Sequence, residues 1–205
     1  LRDDALLMKG LSDNISSVNG RMEALEADRE KAISESRGII RSTKRIIHSI
    51  HLSEPYEDLL RATEEDMRRL AESIDPRIAS SGPVQDAMAE LAEASLFHSI
   101  MTEGMLPSHS SLGISPQAWV LGLADCLGEM RRALLDMLME GDTERAGALF
   151  SEMEEICGEI MLFDVPDAIL PIRRKQDVAR GLMEKTRTDL ANAVVMARVT
   201  SERMR

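Results

Sequence analysis

Three observations on this 205-residue chain predict an all-α fold. Aromatic residues make up only 2% while there are 14 methionines, so the core must be built from Leu, Ile, Ala and Met, which favour helices over strands. No stretch alternates at period two with β-branched residues, which removes the signal of a half-buried strand. Proline and glycine interrupt the text at only a few places, with helical periodicity between them. The expectation is a bundle of six or seven helices with no sheet. At 43% hydrophobic composition one core is affordable, and residues 1–205 are expected to form a single domain.

The elements follow from the breaks. The first helix is placed from about Asn14 to His51, ended by Ser53-Glu54-Pro55, and the second from Glu57 to Ile74, closed by Asp75-Pro76. After Ser80-Ser81-Gly82-Pro83 a third runs from Val84 to Glu103. A loop from Gly104 through Leu106-Pro107-Ser108-His109 leads to the fourth, Pro116 to Glu140, whose start is firm because Ser115 is a good N-cap and Pro116 suits the first helical position. Gly141-Asp142 precedes a fifth helix from Thr143 to Leu162, and Asp164-Val165-Pro166 a last one from Asp167 to about Arg203. The first and last exceed about 30 residues, a length more natural in a bundle that extends or associates with its own copies.

Whole-chain properties restrict the function classes. Cys126 and Cys157 are the only cysteines, too few for a disulfide framework, which suits a reducing cytoplasm. No apolar run approaches the roughly 20 residues needed to span a bilayer, and the opening LRDDALLMKG is not built like a signal peptide. A soluble, cytoplasmic protein without a membrane partner is expected. The net charge of −11 excludes a surface attractive to nucleic acid everywhere, though not a local basic patch.

Such a patch lies in the first helix. Between Arg29 and His51 six basic residues face two acids, a net of +4, leaving −15 for the rest of the chain. At about 100° per residue, Arg37, Arg41, Lys44, Arg45 and His48 share roughly 100° of arc, while Ile39, Ile40, Ile46, Ile47 and Ile50 take another. This cationic face is either a solvated surface or a grip for phosphates. With few aromatics, nucleic acid would be held through its backbone and with weak sequence preference. A second run, Arg173-Arg174-Lys175, is read as a solvated turn that could line the same groove.

The chemistry-bearing residues are two acidic pairs set in apolar helical text. Glu90 and Glu93 lie in AELAEASLFHSI, and Asp125 and Glu129 in VLGLADCLGEMRR. Residues three or four apart project side by side on a helix, so two such helices packed together would present four carboxylates. Hard ions such as Mg²⁺ or Mn²⁺ take that donor set and serve phosphodiester hydrolysis. Gly122 and Gly128 would let another backbone come close. The competing reading puts each pair on an exposed face or against Arg131 or Arg132. His48 and His51 stand where imidazoles can satisfy terminal carbonyls, and His98 is read as a partly buried structural histidine. No P-loop, dinucleotide fingerprint or nucleophile elbow is present.

These motifs resemble a known family. SPQAWVLGLADCLGEMRRALLDMLMEGD, ELAEASLFHSI and SRGIIRSTKRIIHSIH are similar to the acidic and basic motifs of the translin-associated protein X branch of the translin superfamily. The resemblance implies an all-α fold, closed oligomers, commonly octamers, that enclose RNA, and metal-dependent cleavage of single-stranded RNA. By motif position it implies Glu90, Glu93 and Asp125 as the catalytic acids, with Glu93 and Glu129 holding Mg²⁺ or Mn²⁺. Translin itself lacks the paired glutamates. The compact chain would close a ring with itself or pair with a translin subunit. Two alternatives stay open: a non-catalytic RNA-binding or scaffold subunit, and an all-α nucleotide pyrophosphohydrolase.

Overall fold

The computed structural model describes residues 10–80 and 82–203. The opening segment read as unlike a signal peptide, and Ser81, lie outside them except for Gly10. Among the described residues there are helices and no strand. They are α1 (Leu11–Leu52), α2 (Glu57–Ser73), α3 (Pro76–Ala79), α4 (Gly82–Met101), α5 (His109–Leu112), α6 (Pro116–Met139), α7 (Thr143–Met161) and α8 (Arg173–Arg203). None is long and apolar enough to cross a membrane.

The six long helices match the expected ones, and the boundaries show why. Ser53 adopts a left-handed conformation (φ 54°) and, with Glu54, donates back to the carbonyls of Ile50 and Ser49 before Pro55 blocks continuation. Ser115 caps α6 as read from the sequence, its Oγ accepting from the Ala118 N–H at 3.1 Å. Two single-turn helices, α3 and α5, fall in stretches read as breaks. Each forms because a capping side chain, Asp75 or Ser108, accepts from the backbone two or three residues on.

The last helix begins at Arg173, six residues later than expected. Pro171 cannot donate to an intrahelical ladder, and the chain instead turns at Pro166, whose carbonyl accepts from Ile169 and Leu170. The start of α8 is latched by buried Gln176, whose Nε2 donates to the carbonyls of Ile160 at 3.0 Å and Phe163 at 2.9 Å.

α4 lies at the centre, packed against α1, α2 and α6, and α7 and α8 close the far side of α6. It is apolar almost all round, as a helix enclosed by neighbours must be. Val84, Leu91, Leu96 and Phe97 are completely buried. The core is indeed aliphatic and Met-rich, with Met67, Met130 and Met153 among its largest enclosed side chains. Of its carboxylates Asp86 stays exposed, while Glu90 and Glu93 are half-buried among these neighbours.

Candidate acidic site and basic helix face

α4 and α6 approach unusually closely at Gly122. A Cβ there would lie 2.5 Å from the carbonyl oxygen of Ala89, 2.6 Å from the Ala92 Cβ and 2.8 Å from the Glu93 nitrogen. The obstacles are mostly backbone, so even a methyl would force the helices apart, at a cost of about 1–3 kcal/mol. Gly128, which the sequence suggested for the same purpose, has nothing within 4 Å of the equivalent position. Gly122 alone sets the distance, and it does so one turn from Asp125 and beside Glu93.

The two acidic pairs converge across this contact. Burial pushes the Glu93 carboxyl up to about 8, reinforced by the negative charges of Asp125, Glu90 and Glu129. Glu90 is also raised, mainly by burial, with Lys44 opposing and Asp125 adding to the shift. Buried Cys126 is raised too, by burial first and then by Glu93, Glu129 and Asp125. Three groups on two helices thus report one concentration of negative charge. Cys126 and Cys157 are free thiols.

Two of the four acids already have partners. The Lys175 ammonium is clasped by both oxygens of Asp125, the Nζ–Oδ2 distance being 2.5 Å. At the other end His51 Nε2 lies 2.7 Å from Glu129 Oε2. The hydrogen bond from His51 holds the Glu129 carboxyl below its usual range. A carboxylate only accepts, so this contact puts a proton on Nε2. The imidazole is buried against Phe97, with ring centroids 5.1 Å apart.

These partners correct two sequence readings. His51 does not finish the carbonyls of α1 but positions Glu129, and Lys175 belongs to the acid site, not to a solvated turn. Neither contact was visible along the chain, because the partners are 78 and 50 residues apart. Arg131 turns away from the acids to Thr186 and Asp189. His98 is partly buried and bonded to the Tyr56 hydroxyl at 2.8 Å, as a structural histidine would be.

Whether the donors fit a divalent ion follows from this electrostatics. Among the described residues no three carboxylate, imidazole or thiol side chains are grouped as an ion cage as they stand; Asp125 is engaged by Lys175 and Glu129 by His51. The chemistry nevertheless suits a hard cation: oxygen donors, excess negative charge, and a carboxyl pushed up by burial and by its acidic neighbours. An ammonium is already seated on Asp125 as a stand-in for such a cation.

The basic face is realised as read. Arg37, Arg41, Lys44, Arg45 and His48 are exposed on α1, while Ile39, Ile46, Ile47 and Ile50 are buried beneath them. Among the described residues none of Arg37, Arg41, Lys44 and Arg45 forms an ion pair, although acids outnumber bases by 36 to 25. Lys44 is close enough to act on Glu90, so the face adjoins the acids. A cleft of about 350 Å³ is lined by Ala124, Asp125, Pro171, Arg174, Lys175 and Val178.

No family model matches the chain. It is 30% identical over 186 residues to an uncharacterized protein of Methanocaldococcus jannaschii, covering 89% of this chain and 83% of that one. Among solved structures it resembles AfC3PO, at 32% identity and a TM-score of 0.80 over 89% of this chain and 98% of that one. It also resembles the protein chain of an AfC3PO–duplex RNA complex, at 30% identity and a TM-score of 0.77 over 89% and 97%. Apo-NeC3PO, 18% identical, has the same fold, with a TM-score of 0.75 over 91% and 99%.

Proposed function

Because this chain belongs to the translin (C3PO) family, we propose that it is a divalent-metal-dependent endoribonuclease of the translin-associated protein X-like branch, acting on single-stranded RNA. The observation that carries this reading is the convergence of Glu90, Glu93, Asp125 and Glu129 at the α4–α6 contact, where burial first and the neighbouring negative charges second push Glu93 up to about 8. AfC3PO has been seen with duplex RNA, which makes RNA the natural ligand class for the unpaired basic face of α1.

In this reading Arg37, Arg41, Lys44, Arg45 and His48 hold the RNA backbone by charge and hydrogen bonds. Lys44, beside Glu90, directs the strand towards the acids. Glu93 and Glu129 hold the ion, with His51 fixing the rotamer of Glu129. Glu90 and Asp125 complete the set of reacting carboxylates and orient the attacking water. When bound, Mg²⁺ or Mn²⁺ supplies the Lewis acidity that activates water and neutralises charge on the phosphoryl oxygens. Glu93 must release its proton to act as a ligand, so binding of the ion is favoured by rising pH.

The working assembly is proposed to be a closed homo-oligomer, an octamer on the family pattern, in the cytoplasm. Every residue from 11 to 24 of α1 is exposed, including the stripe Leu11, Ile15, Val18 and Met22 at helical spacing. Val195, Met196 and Val199 near the end of α8 are exposed as well. Two long helices that carry exposed apolar side chains towards their ends favour burial against further copies.

The deciding experiment is cleavage of labelled single-stranded and duplex RNA with Mg²⁺, Mn²⁺ or EDTA. Wild type should cut single-stranded RNA only with metal, and Glu90→Ala should lose at least a hundredfold in rate while keeping RNA affinity. Activity indifferent to EDTA and to Glu90→Ala would sink the nuclease reading. A second reading, a non-catalytic RNA-binding subunit, is favoured by the ion pair on Asp125 and the hydrogen bond on Glu129, which give both acids structural partners. It expects binding without metal-dependent cleavage.

A further inference from the structure

Lys175 is placed with more care than a surface lysine. Its side chain is only 29% exposed, against 68% for Arg173 two residues earlier. Its position is set by the neighbouring Gln176 latch and by Pro171, which delays α8 so that its third residue faces α6. The ammonium engages both oxygens of Asp125 and acts on Glu90 and Glu93 as well. One monovalent cation therefore faces three of the four acids. It also lines the α6–α8 cleft beside Arg174, where a phosphate would meet two cations.

From this juxtaposition we infer that Lys175 is the resident counter-ion of the acid site, displaced from Asp125 when a divalent ion binds and then free to grip an RNA phosphate in the α6–α8 cleft with Arg174. The inference rests on the metal-site reading above and deepens it. An ion held by Glu93 and Glu129 would bring a second cation to the carboxylates that Lys175 already faces, and like charges in a half-buried site repel strongly. Displacement leaves a partly desolvated ammonium in need of an anion, and RNA supplies one. Metal and RNA then favour each other's binding through one side chain, a coupling that is reciprocal by linkage.

The test measures Mn²⁺ affinity directly, by electron paramagnetic resonance of free Mn²⁺, in wild type, Lys175→Met, Lys175→Gln and Lys175→Arg, with thermal melts to confirm folding. Removing the charge with either Met or Gln should tighten Mn²⁺ binding at least tenfold, while Lys175→Arg stays within about threefold of wild type. In EDTA, Lys175→Met and wild type should bind a nuclease-resistant phosphorothioate 2′-O-methyl RNA within about twofold of each other. With saturating Mn²⁺, wild type should bind it at least fivefold more tightly than Lys175→Met. Equal or weaker Mn²⁺ binding in the charge-removed variants overturns the inference and leaves the metal site standing. No Mn²⁺ binding by any of the four proteins overturns both. An equal loss of RNA affinity with and without metal would make Lys175 a simple phosphate contact and also overturn the inference.

Discussion

Glu93 shows how much a single side chain's surroundings decide. Its spacing from Glu90 was plain in the sequence, but a pair of glutamates three apart is ordinary on any helix. What distinguishes it is enclosure by α6, which brings two further acids to bear. A carboxyl whose folded-state pKa is raised from 4.5 to about 8 binds more protons folded than unfolded between those values. Its contribution to stability is complete below about pH 4.5 and is lost as pH rises through about 8. The metal-free protein should therefore lose melting temperature between pH 6 and pH 9 when scanned in EDTA. Glu93→Gln, which keeps the neutral form at all pH, should flatten that slope; an unchanged slope would place the proton elsewhere.

At the scale of elements, α1 carries the part of the proposed RNA interface most legible from sequence. A helix with isoleucines on one arc and cations on another has only one way to pack, so burial of Ile39, Ile46, Ile47 and Ile50 necessarily presents Arg37, Arg41, Lys44, Arg45 and His48 outward. Each phosphate contact contributes close to one unit to the dependence of log K on log salt. Arg41→Ala with Arg45→Ala should weaken RNA binding about tenfold or more at 0.15 M salt and lower the salt slope by between about one and two. Filter binding across a salt series would show it, and an unaltered slope would remove α1 from the interface. α8 starts six residues beyond the position predicted from the sequence, because a proline five residues beyond another leaves room for either a kinked helix or a turn. Gln176 settles the matter by bonding to carbonyls at the end of α7.

For the whole molecule, the lengths of α1 and α8 matter more than their composition. A 42-residue helix rises about 63 Å, more than the other helices of the chain can cover, so its first turns are left exposed. Ile15→Glu together with Val18→Glu should shift the protein to smaller species in analytical ultracentrifugation while leaving its helical content intact. If the sedimentation coefficient does not move, that stripe has no partner among copies of this chain. Loss of RNA cleavage in the same variant, with Mn²⁺ affinity retained, would tie the assembly to substrate capture and not to the metal.

Local periodicity was enough to determine the helical class, the six long helices, the Ser115 cap and the cationic face, since each depends on residues within a few turns of one another. The four acids were legible as candidates for the same reason. The tertiary structure decided what they became. Gly122 brought α4 and α6 together, His51 arrived from the end of α1 to hold Glu129, and Lys175 from the start of α8 to hold Asp125. Hydrophobic patterning specifies which face of a helix is buried, but electrostatic partnerships depend on distances between elements far apart in the chain, and those distances exist only once the core has packed.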